Sequence, residues 1–217
     1  MPRPHCPRCT RPVDHCLCPL IPHLSSRTRV LILQHRSEAG HALNTARLAA
    51  LGLVNSQLLV GEVFDGLHEL LNQPGYRACL LFPGEQAQSL SQLVSGTDQV
   101  PTLLVVPDGT WRKARKLLHL NPALAELPRV VLPEGLESRY RLRKAPKPGA
   151  LSTIEAIVES LNTLDAPANF NALLKPFESL IDGQIAAMGE ETYQRNHGNS
   201  LEGEGKRFYE KQPESVI

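Results

Sequence analysis

Asp108, Gly109, Thr110 and Trp111 stand together in the sequence and could do chemistry on a bound ligand. They offer a carboxylate, exposed backbone N–H groups, a hydroxyl and an aromatic stacking surface. They follow the apolar run 103–106 and precede a basic helical segment, a pattern typical of a buried parallel strand that turns tightly into a helix. Because ligands bind beyond the carboxyl ends of strands in open α/β sheets, we expect the candidate active site here.

A second cluster with chemical potential lies at the N-terminus, where the first eighteen residues hold four of the five cysteines: Cys6, Cys9, Cys16 and Cys18. No apolar signal segment precedes them, so we expect a metal site rather than disulfide bonds. Four thiolates can bind one zinc ion tetrahedrally, and a fully ligated zinc is structural. If one thiol is not a ligand, the alternatives are His5, His15 and His23. A redox pair or free thiols are the alternative to a metal.

The long segment 133–152 combines positive charge with one aromatic ring. Around Tyr140 it carries five bases: Arg139, Arg141, Arg143, Lys144 and Lys147. Long loops in compact domains are usually functional or disordered, and this mixture suits phosphates together with one stacked base. The segment ends at Ser152 and Glu155, whose spacing indicates a capping box that by itself would explain both residues.

The elements that must position these groups alternate along the chain. We predict short strands at 30–33, 58–60, 77–82, 102–106 and 129–132. We predict helices at 46–51, 63–72, 110–118, 152–164 and 169–187, with a weakly helical bridge at 86–95. This alternation predicts an α/β fold with a mainly parallel sheet and helices on both faces. The predicted organisation is a zinc-binding segment 1–24, an α/β domain 25–188 and a flexible polar tail 189–217.

Composition narrows the class of protein. The 217 residues are 41% hydrophobic, and the absence of a long apolar run or a leader predicts a cytoplasmic protein with no membrane contact. The net charge of +1 hides ten Lys or Arg against three Glu in residues 112–147. This asymmetry favours a phosphate-bearing partner, although solvated surface charge is the alternative. Motifs for P-loop, dinucleotide-binding, serine-hydrolase and zinc-protease sites are absent from the sequence.

Several candidate residues also have ordinary structural explanations. Asn44 precedes a helix and would serve as its N-cap, and Asp108 could cap the helix that begins near Thr110. A histidine at a strand end, such as His35, is most often structural. The lone Trp111 could belong to the core.

Six motifs in order carry a resemblance to a known family. They are the cysteine pattern, Gln34-His35 with Glu38 and Asn44-Thr45, residues 82–85, residues 108–111 with 114–116, Ser138 with Tyr140 and 141–144, and residues 151–156. Together they resemble the DTW domain family of tRNA-uridine aminocarboxypropyltransferases, over about residues 6–165.

The resemblance implies a fold related to the SPOUT methyltransferases, with a trefoil knot in the C-terminal half. It implies that S-adenosylmethionine donates a 3-amino-3-carboxypropyl group to N3 of a tRNA uridine. By analogy, the donor would be surrounded by Phe82, Pro83, Gly84, Glu85, Pro107, Asp108, Gly109, Leu151, Ser152 and Thr153.

The resemblance also suggests roles at the catalytic turn. Asp108 is the candidate base, or alternatively orients the donor's amino group; Thr110 and Trp111 complete the predicted catalytic set, with Trp111 stacking on adenine or uracil. The predicted substrate-binding residues are His35, Asn44, Arg112, Arg115, Lys116, Tyr140, Arg141, Arg143 and Lys144. Attack at the donor's methyl group would instead give an RNA methyltransferase, and a non-catalytic zinc-containing RNA-binding protein is the third alternative. The oligomeric state does not follow from the sequence.

Overall fold

A six-stranded parallel sheet forms the centre of the computed structural model, which describes residues 3–94, 100–142 and 150–197. The strands are β1 (Arg29–His35), β2 (Ser56–Gly61), β3 (Arg77–Leu81), β4 (Gln88–Ser89), β5 (Thr102–Asp108) and β6 (Arg129–Val131). Their order across the sheet is β2-β1-β5-β3-β6-β4, and each neighbouring pair is parallel. The predicted α/β class with a mainly parallel sheet is confirmed.

Seven helices are distributed over the described residues. They are α1 (Thr45–Gly52), α2 (Leu67–Leu71), α3 (Leu90–Val94), α4 (Trp111–Leu120), α5 (Thr153–Leu164), α6 (Leu174–Met188) and α7 (Glu190–His197). Among these described residues, no helix is both long and apolar enough to cross a membrane.

Apolar side chains on the two faces of the sheet form two separate cores. In β1, Val30 and Ile32 point into a core shared with α1, α5 and α6, whereas Leu31 and Leu33 point into a core shared with α2 and α4. Successive residues of a strand face opposite sides, so a continuous apolar strand needs helices on both faces. The predicted covering of both faces is therefore confirmed.

Three local predictions differ from the structure. The helix predicted at 63–72 is confined to Leu67–Leu71, because Gly66 has a left-handed backbone and the Phe64 N–H donates to the Asn121 side chain. Within the predicted bridge 86–95, Gln88–Ser89 forms the edge strand β4, which is too short to show alternation. The helix α7 occupies the start of the predicted flexible tail.

Parts of two predicted segments, the basic loop and the polar tail, lie outside the residues that the structure describes. Residues 143–149 lie outside the described residues, and the trefoil knot in the C-terminal half stays a prediction. The predicted tail from residue 198 onward also lies outside them.

Candidate active site

The carboxyl ends of β1 and β5 bring Gln34 and Asp108 side by side. The two strands are paired in register at these residues, and both side chains are buried. Gln34 Nε2 donates to Asp108 Oδ2 at 2.7 Å, and the Thr153 hydroxyl at the start of α5 donates to Asp108 Oδ1. Three elements distant in sequence therefore fix this carboxylate, as expected for a strand-end site.

Gln34 is itself held in one orientation by Asn44. The Asn44 amide nitrogen donates to Gln34 Oε1 at 3.3 Å, and its oxygen accepts from Gln34 Nε2 at 3.0 Å. The same oxygen caps α1 by accepting from the Arg47 N–H at 3.0 Å, so the predicted N-cap is confirmed. Gln34 is absent from the predicted site residues, although a polar residue that ends an apolar strand was a usable signal.

Burial raises the pKa of Asp108, while the hydrogen bonds from Thr153 and Gln34 oppose the shift. A buried carboxyl with a raised pKa at a strand end is typical of a group that accepts and releases a proton. The alternative role of Asp108 as the cap of α4 is wrong. Thr110 is the N-cap, and its hydroxyl accepts from the Lys113 N–H at 3.4 Å.

An apolar cavity of about 290 Å³ lies on one side of the turn at residues 108–111. Seven residues from the three predicted donor loops line it: Phe82, Pro83, Pro107, Gly109, Trp111, Leu151 and Thr153. Six further lining residues were missed by the sequence prediction: Val106, Ala114, Val130, Val131, Leu132 and Ala156. The predicted donor residues Gly84, Glu85, Asp108 and Ser152 do not line this cavity. The three loops converge, and the donor-binding roles of their residues stay predictions.

A polar cavity of about 290 Å³ lies on the other side of the turn and shares Gly109 and Thr153 with the apolar one. Its lining includes Glu38, His41, Leu43, Asn44, Thr45, Asp108, Thr110, Tyr140, Leu142 and Ser152. Asp108 thus lines the polar cavity and does not line the apolar one.

Trp111 stands at the mouth of the apolar cavity and is not part of the core. It is 44% exposed, and its ring meets Phe82 edge to face, with the centroids 5.7 Å apart and the planes at 61°. The core alternative for Trp111 is therefore wrong. An exposed ring in this position is free to contact a flat ligand.

Several predicted substrate-binding residues have protein partners. Glu62 accepts from Lys116 Nζ at 2.6 Å and pairs with His35 Nε2 at 3.0 Å and Arg36 Nε at 3.1 Å. The Lys116 hydrogen bond is the main reason that the pKa of Glu62 is lowered. These contacts give His35 and Lys116 structural roles, and their substrate roles stay predictions.

Arg112 and Arg115 on α4 are both exposed, and neither forms an ion pair with the residues that the structure describes. They follow Trp111 on the same helix, and their substrate roles stay predictions.

The basic segment is only partly available for a ligand. Arg139 pairs with Glu178 at 2.7 Å and Arg141 pairs with Asp182, both on α6. The Tyr140 ring contacts Phe177 edge to face at a centroid distance of 5.4 Å. Arg143 and Lys144 lie outside the described residues. The substrate roles of Tyr140 and Arg141 stay predictions.

Glu155 fastens the basic segment to the N-terminus of α5. Its buried carboxylate accepts from the Ser152 N–H at 2.8 Å, from the Ser138 hydroxyl at 2.9 Å and from the Arg139 N–H at 2.6 Å. The predicted capping box is confirmed, and the same carboxylate positions the loop that carries Tyr140.

Replacing Glu155 by alanine is expected to lower the free energy of unfolding by about 1–3 kcal/mol, because four donors from Ser138, Arg139 and Ser152 lose their acceptor. Denaturant unfolding with a fluorescence readout measures this. The matched control is Glu159→Ala one turn later on the same helix, expected to stay within about 0.5 kcal/mol of wild type. Equal losses in both variants would contradict a specific clamp at Glu155.

The four N-terminal thiols form one compact group. The Cys6 and Cys18 sulfurs are 3.6 Å apart, those of Cys9 and Cys16 are 3.7 Å apart, and all four lie within 4.8 Å of one another. A tetrahedron with Zn–S bonds of about 2.3 Å has sulfurs about 3.8 Å apart. The group can therefore hold a metal ion without the alternative histidines. Backbone N–H groups lower the pKa of Cys6 to about 6, whereas burial raises that of Cys18 to about 12.

The cysteine segment docks onto α1 beside the polar cavity. Cys9 and Leu17 are buried in the core that includes α1 and α6. Arg11 Nη1 donates to the Ala42 carbonyl at 2.8 Å, and Arg47 Nη2 donates to the Arg8 carbonyl at 3.1 Å. The segment therefore supports the turn that carries Asn44.

Comparison with known proteins identifies relatives over most of the chain. The macaque (Macaca fascicularis) protein named tRNA-uridine aminocarboxypropyltransferase 2 is 29% identical over 84% of this chain and 64% of its own length. The Drosophila melanogaster protein of that name is 32% identical over 84% of the chain and 76% of its own length. An Arabidopsis thaliana protein, tRNA-uridine aminocarboxypropyltransferase A, is 27% identical over 74% of the chain and 72% of its own length. No solved structure matches.

A model of a whole protein family also matches most of this chain. The family model of the DTW domain matches residues 3–185, a range that contains the cysteine group, both cavities and the turn at residues 108–111. The Asp108-Gly-Thr-Trp111 turn and the elements that hold it thus fall inside one continuous match, and this chain belongs to the DTW domain family.

Proposed function

We propose that this chain is a tRNA-uridine aminocarboxypropyltransferase that uses S-adenosylmethionine as donor. The observation that carries the proposal is the buried Asp108 carboxyl, with its raised pKa, at the turn between an apolar and a polar cavity. The names of the relatives support the transferase class and the tRNA substrate. The chain spans slightly less than two thirds of the macaque relative, so the activity is proposed for this chain in its own right.

The reaction requires a base more than an acid. The bound donor would supply a carbon attached to a positively charged sulfur. Uridine N3 loses its proton to the Asp108 carboxylate, and its electron pair forms a bond to that carbon. The carbon–sulfur bond breaks with its electrons on sulfur, which leaves methylthioadenosine as a neutral thioether. The leaving group therefore takes no proton, and the protonated Asp108 returns its proton to solvent.

The protein's remaining task is to hold the two reactants in line. The apolar cavity suits the adenosine and thioether part of the donor, with Trp111 at its mouth for stacking. Arg112 and Arg115 suit contacts to tRNA phosphates, since both cations are exposed beside Trp111. Thr110 contributes by fixing the start of α4, which sets the position of Trp111.

A zinc ion bound by Cys6, Cys9, Cys16 and Cys18 would be structural in this scheme. All four positions of a tetrahedral ion would be filled, so no site remains for a substrate or a water. The segment contacts α1 and the loop that precedes it, so its role would be to hold the Asn44 turn.

The test is to incubate the purified protein with S-adenosylmethionine and unmodified tRNA and to identify the small product by mass spectrometry. Methylthioadenosine, with a modified uridine in the digested tRNA, is the expected result. S-adenosylhomocysteine would overturn the proposal in favour of methyl transfer on the same scaffold. Release of neither product, with tRNA bound, would favour a non-catalytic RNA-binding protein.

A further inference from the structure

The polar cavity has no role assigned by the proposed chemistry beyond its contact with Asp108. It matches the apolar cavity in volume, at about 290 Å³, and the two share Gly109 and Thr153 as a common wall. This volume is at the lower end of small-molecule sites. Two adjacent compartments of different polarity suit two reactants of different polarity.

The position of Asp108 indicates which reactant binds in the polar cavity. Asp108 lines the polar cavity and not the apolar one. One oxygen is held by Gln34 and the other by Thr153, and each carboxylate oxygen can accept a further hydrogen bond. A base must contact the proton that it removes, so the ring that carries the N–H belongs on the Asp108 side.

The lining of the polar cavity also includes a surface that suits a flat ring. Tyr140 lines the cavity, and its ring is braced by edge-to-face contact with Phe177 at 5.4 Å. Glu155 holds the two residues that precede Tyr140, through the Ser138 hydroxyl and the Arg139 N–H. Leu43 and Leu142 add apolar surface. Aromatic side chains of this kind hold bases that leave the RNA stack.

Gly109 belongs to the wall that the two cavities share. Its φ of +151° disfavours any side chain, and a Cβ there would lie 3.0 Å from Lys113 Cβ and 3.6 Å from His35 Cβ. The turn therefore requires glycine at this point of the shared wall.

We propose that the polar cavity is the acceptor pocket and takes the uracil ring of an unstacked uridine, with N3–H on Asp108 and the ring against Tyr140. The inference rests on the proposed function, because it assigns the apolar cavity to the donor. The pocket selects uracil over cytosine. Uracil donates an N3–H to the carboxylate, whereas the lone pair on cytosine N3 would face the same negative charge.

The test compares RNA binding without turnover. Enzyme saturated with methylthioadenosine is titrated with fluorescent oligouridine and with oligocytidine of equal length. Tyr140→Ala is expected to weaken oligouridine binding by about five-fold to a hundred-fold, the range of one lost base stack, and to leave oligocytidine binding unchanged. Tyr140→Phe, which keeps the ring, is the matched control and retains the preference for oligouridine. Leu43→Phe, which adds bulk from another element, is expected to remove that preference as well.

The donor side is monitored separately in the same variants. Trp111 is the only tryptophan of the chain and lines the apolar cavity, so its fluorescence reports methylthioadenosine binding. We expect the Kd for methylthioadenosine to be the same in wild type, Tyr140→Ala and Leu43→Phe. A parallel loss of methylthioadenosine binding would overturn the assignment of two compartments. Equal weakening of both RNAs, or weakening of neither, would overturn the uracil pocket.

Failure of the proposed function would be distinguishable from failure of the pocket. Wild type that binds methylthioadenosine and prefers oligouridine, yet releases no methylthioadenosine from S-adenosylmethionine and tRNA, would disprove the transferase and leave the pocket standing. Wild type that releases methylthioadenosine while all variants bind both RNAs alike would disprove the pocket alone.

Discussion

Asp108→Asn is expected to lower the single-turnover rate of aminocarboxypropyl transfer by about 10²–10⁴-fold, the usual contribution of a general base. The amide cannot take the uridine proton. It can keep both local contacts, because its oxygen can accept from Gln34 Nε2 while its nitrogen donates to the Thr153 hydroxyl. Quenched-flow measurement of methylthioadenosine gives the rate, and Trp111 fluorescence confirms that methylthioadenosine still binds.

The pH dependence gives an independent check on the same residue. Burial raises the pKa of Asp108, and the base acts in its ionised form. The wild-type rate is therefore expected to fall as the pH drops through that raised pKa, and the residual rate of Asp108→Asn should lack this decline. A variant that works within a few-fold of wild type would exclude Asp108 as the base.

Stability should move in the opposite direction from activity. Because the folded-state pKa of Asp108 is raised above its unfolded value, the stabilising contribution is present at low pH and is lost as the pH rises through the folded pKa. At neutral pH, Asp108→Asn is thus expected to unfold at a temperature equal to or above that of wild type. A lower unfolding temperature in the variant would mean that Asp108 is needed for the fold, and its lost activity could not then be assigned to chemistry.

The sequence was sufficient to predict that Asp108 lies at the end of a strand, but not that Gln34 is its hydrogen-bond partner. Asp108 ends an apolar strand and precedes a helix, which are local signals. Gln34 meets it because β1 and β5 are neighbours in the sheet, although three strands lie between them in the chain. Strand order depends on how helices cross the sheet, and no local pattern near either residue encodes it.

The sequence gives the number of basic residues in a segment, but it does not show which of them pair with acidic residues. The excess of basic residues in 112–147 favoured a phosphate-bearing partner, with solvated surface charge as the alternative. In the structure, Lys113 pairs with Glu38, Lys116 with Glu62, and Arg139 and Arg141 with acids on α6. Each acid comes from a segment distant in sequence, so the pairing depends on the tertiary fold. Among the described residues of α4, Arg112 and Arg115 are exposed and form no ion pair, so they are the cations best able to bind RNA phosphates.

Loss of the N-terminal metal is expected to have the second large effect. Wild type should contain one zinc ion per chain, because four thiols of this spacing complete one tetrahedral site. Cys9→Ser removes the buried ligand and is expected to abolish stoichiometric zinc. Metal binding contributes directly to folding, and a loss of about 3 kcal/mol would lower the unfolding midpoint by on the order of 10 °C. Metal analysis by mass spectrometry and calorimetry measure the two effects.

The control for this prediction is the fifth cysteine. Cys79 is buried in β3, away from the other four, and burial raises the pKa of its thiol to about 12. Cys79→Ala therefore loses some core packing but should keep one zinc per chain. If Cys9→Ser retained zinc, or if both variants lost it, the four-thiol site would be wrong. Weaker tRNA modification in Cys9→Ser, with methylthioadenosine binding intact, would trace the defect to the Asn44 turn. Beside that turn, Arg11 of the cysteine segment donates to the Ala42 carbonyl and Arg47 of α1 donates to the Arg8 carbonyl. Asn44 lines the polar cavity together with Asp108.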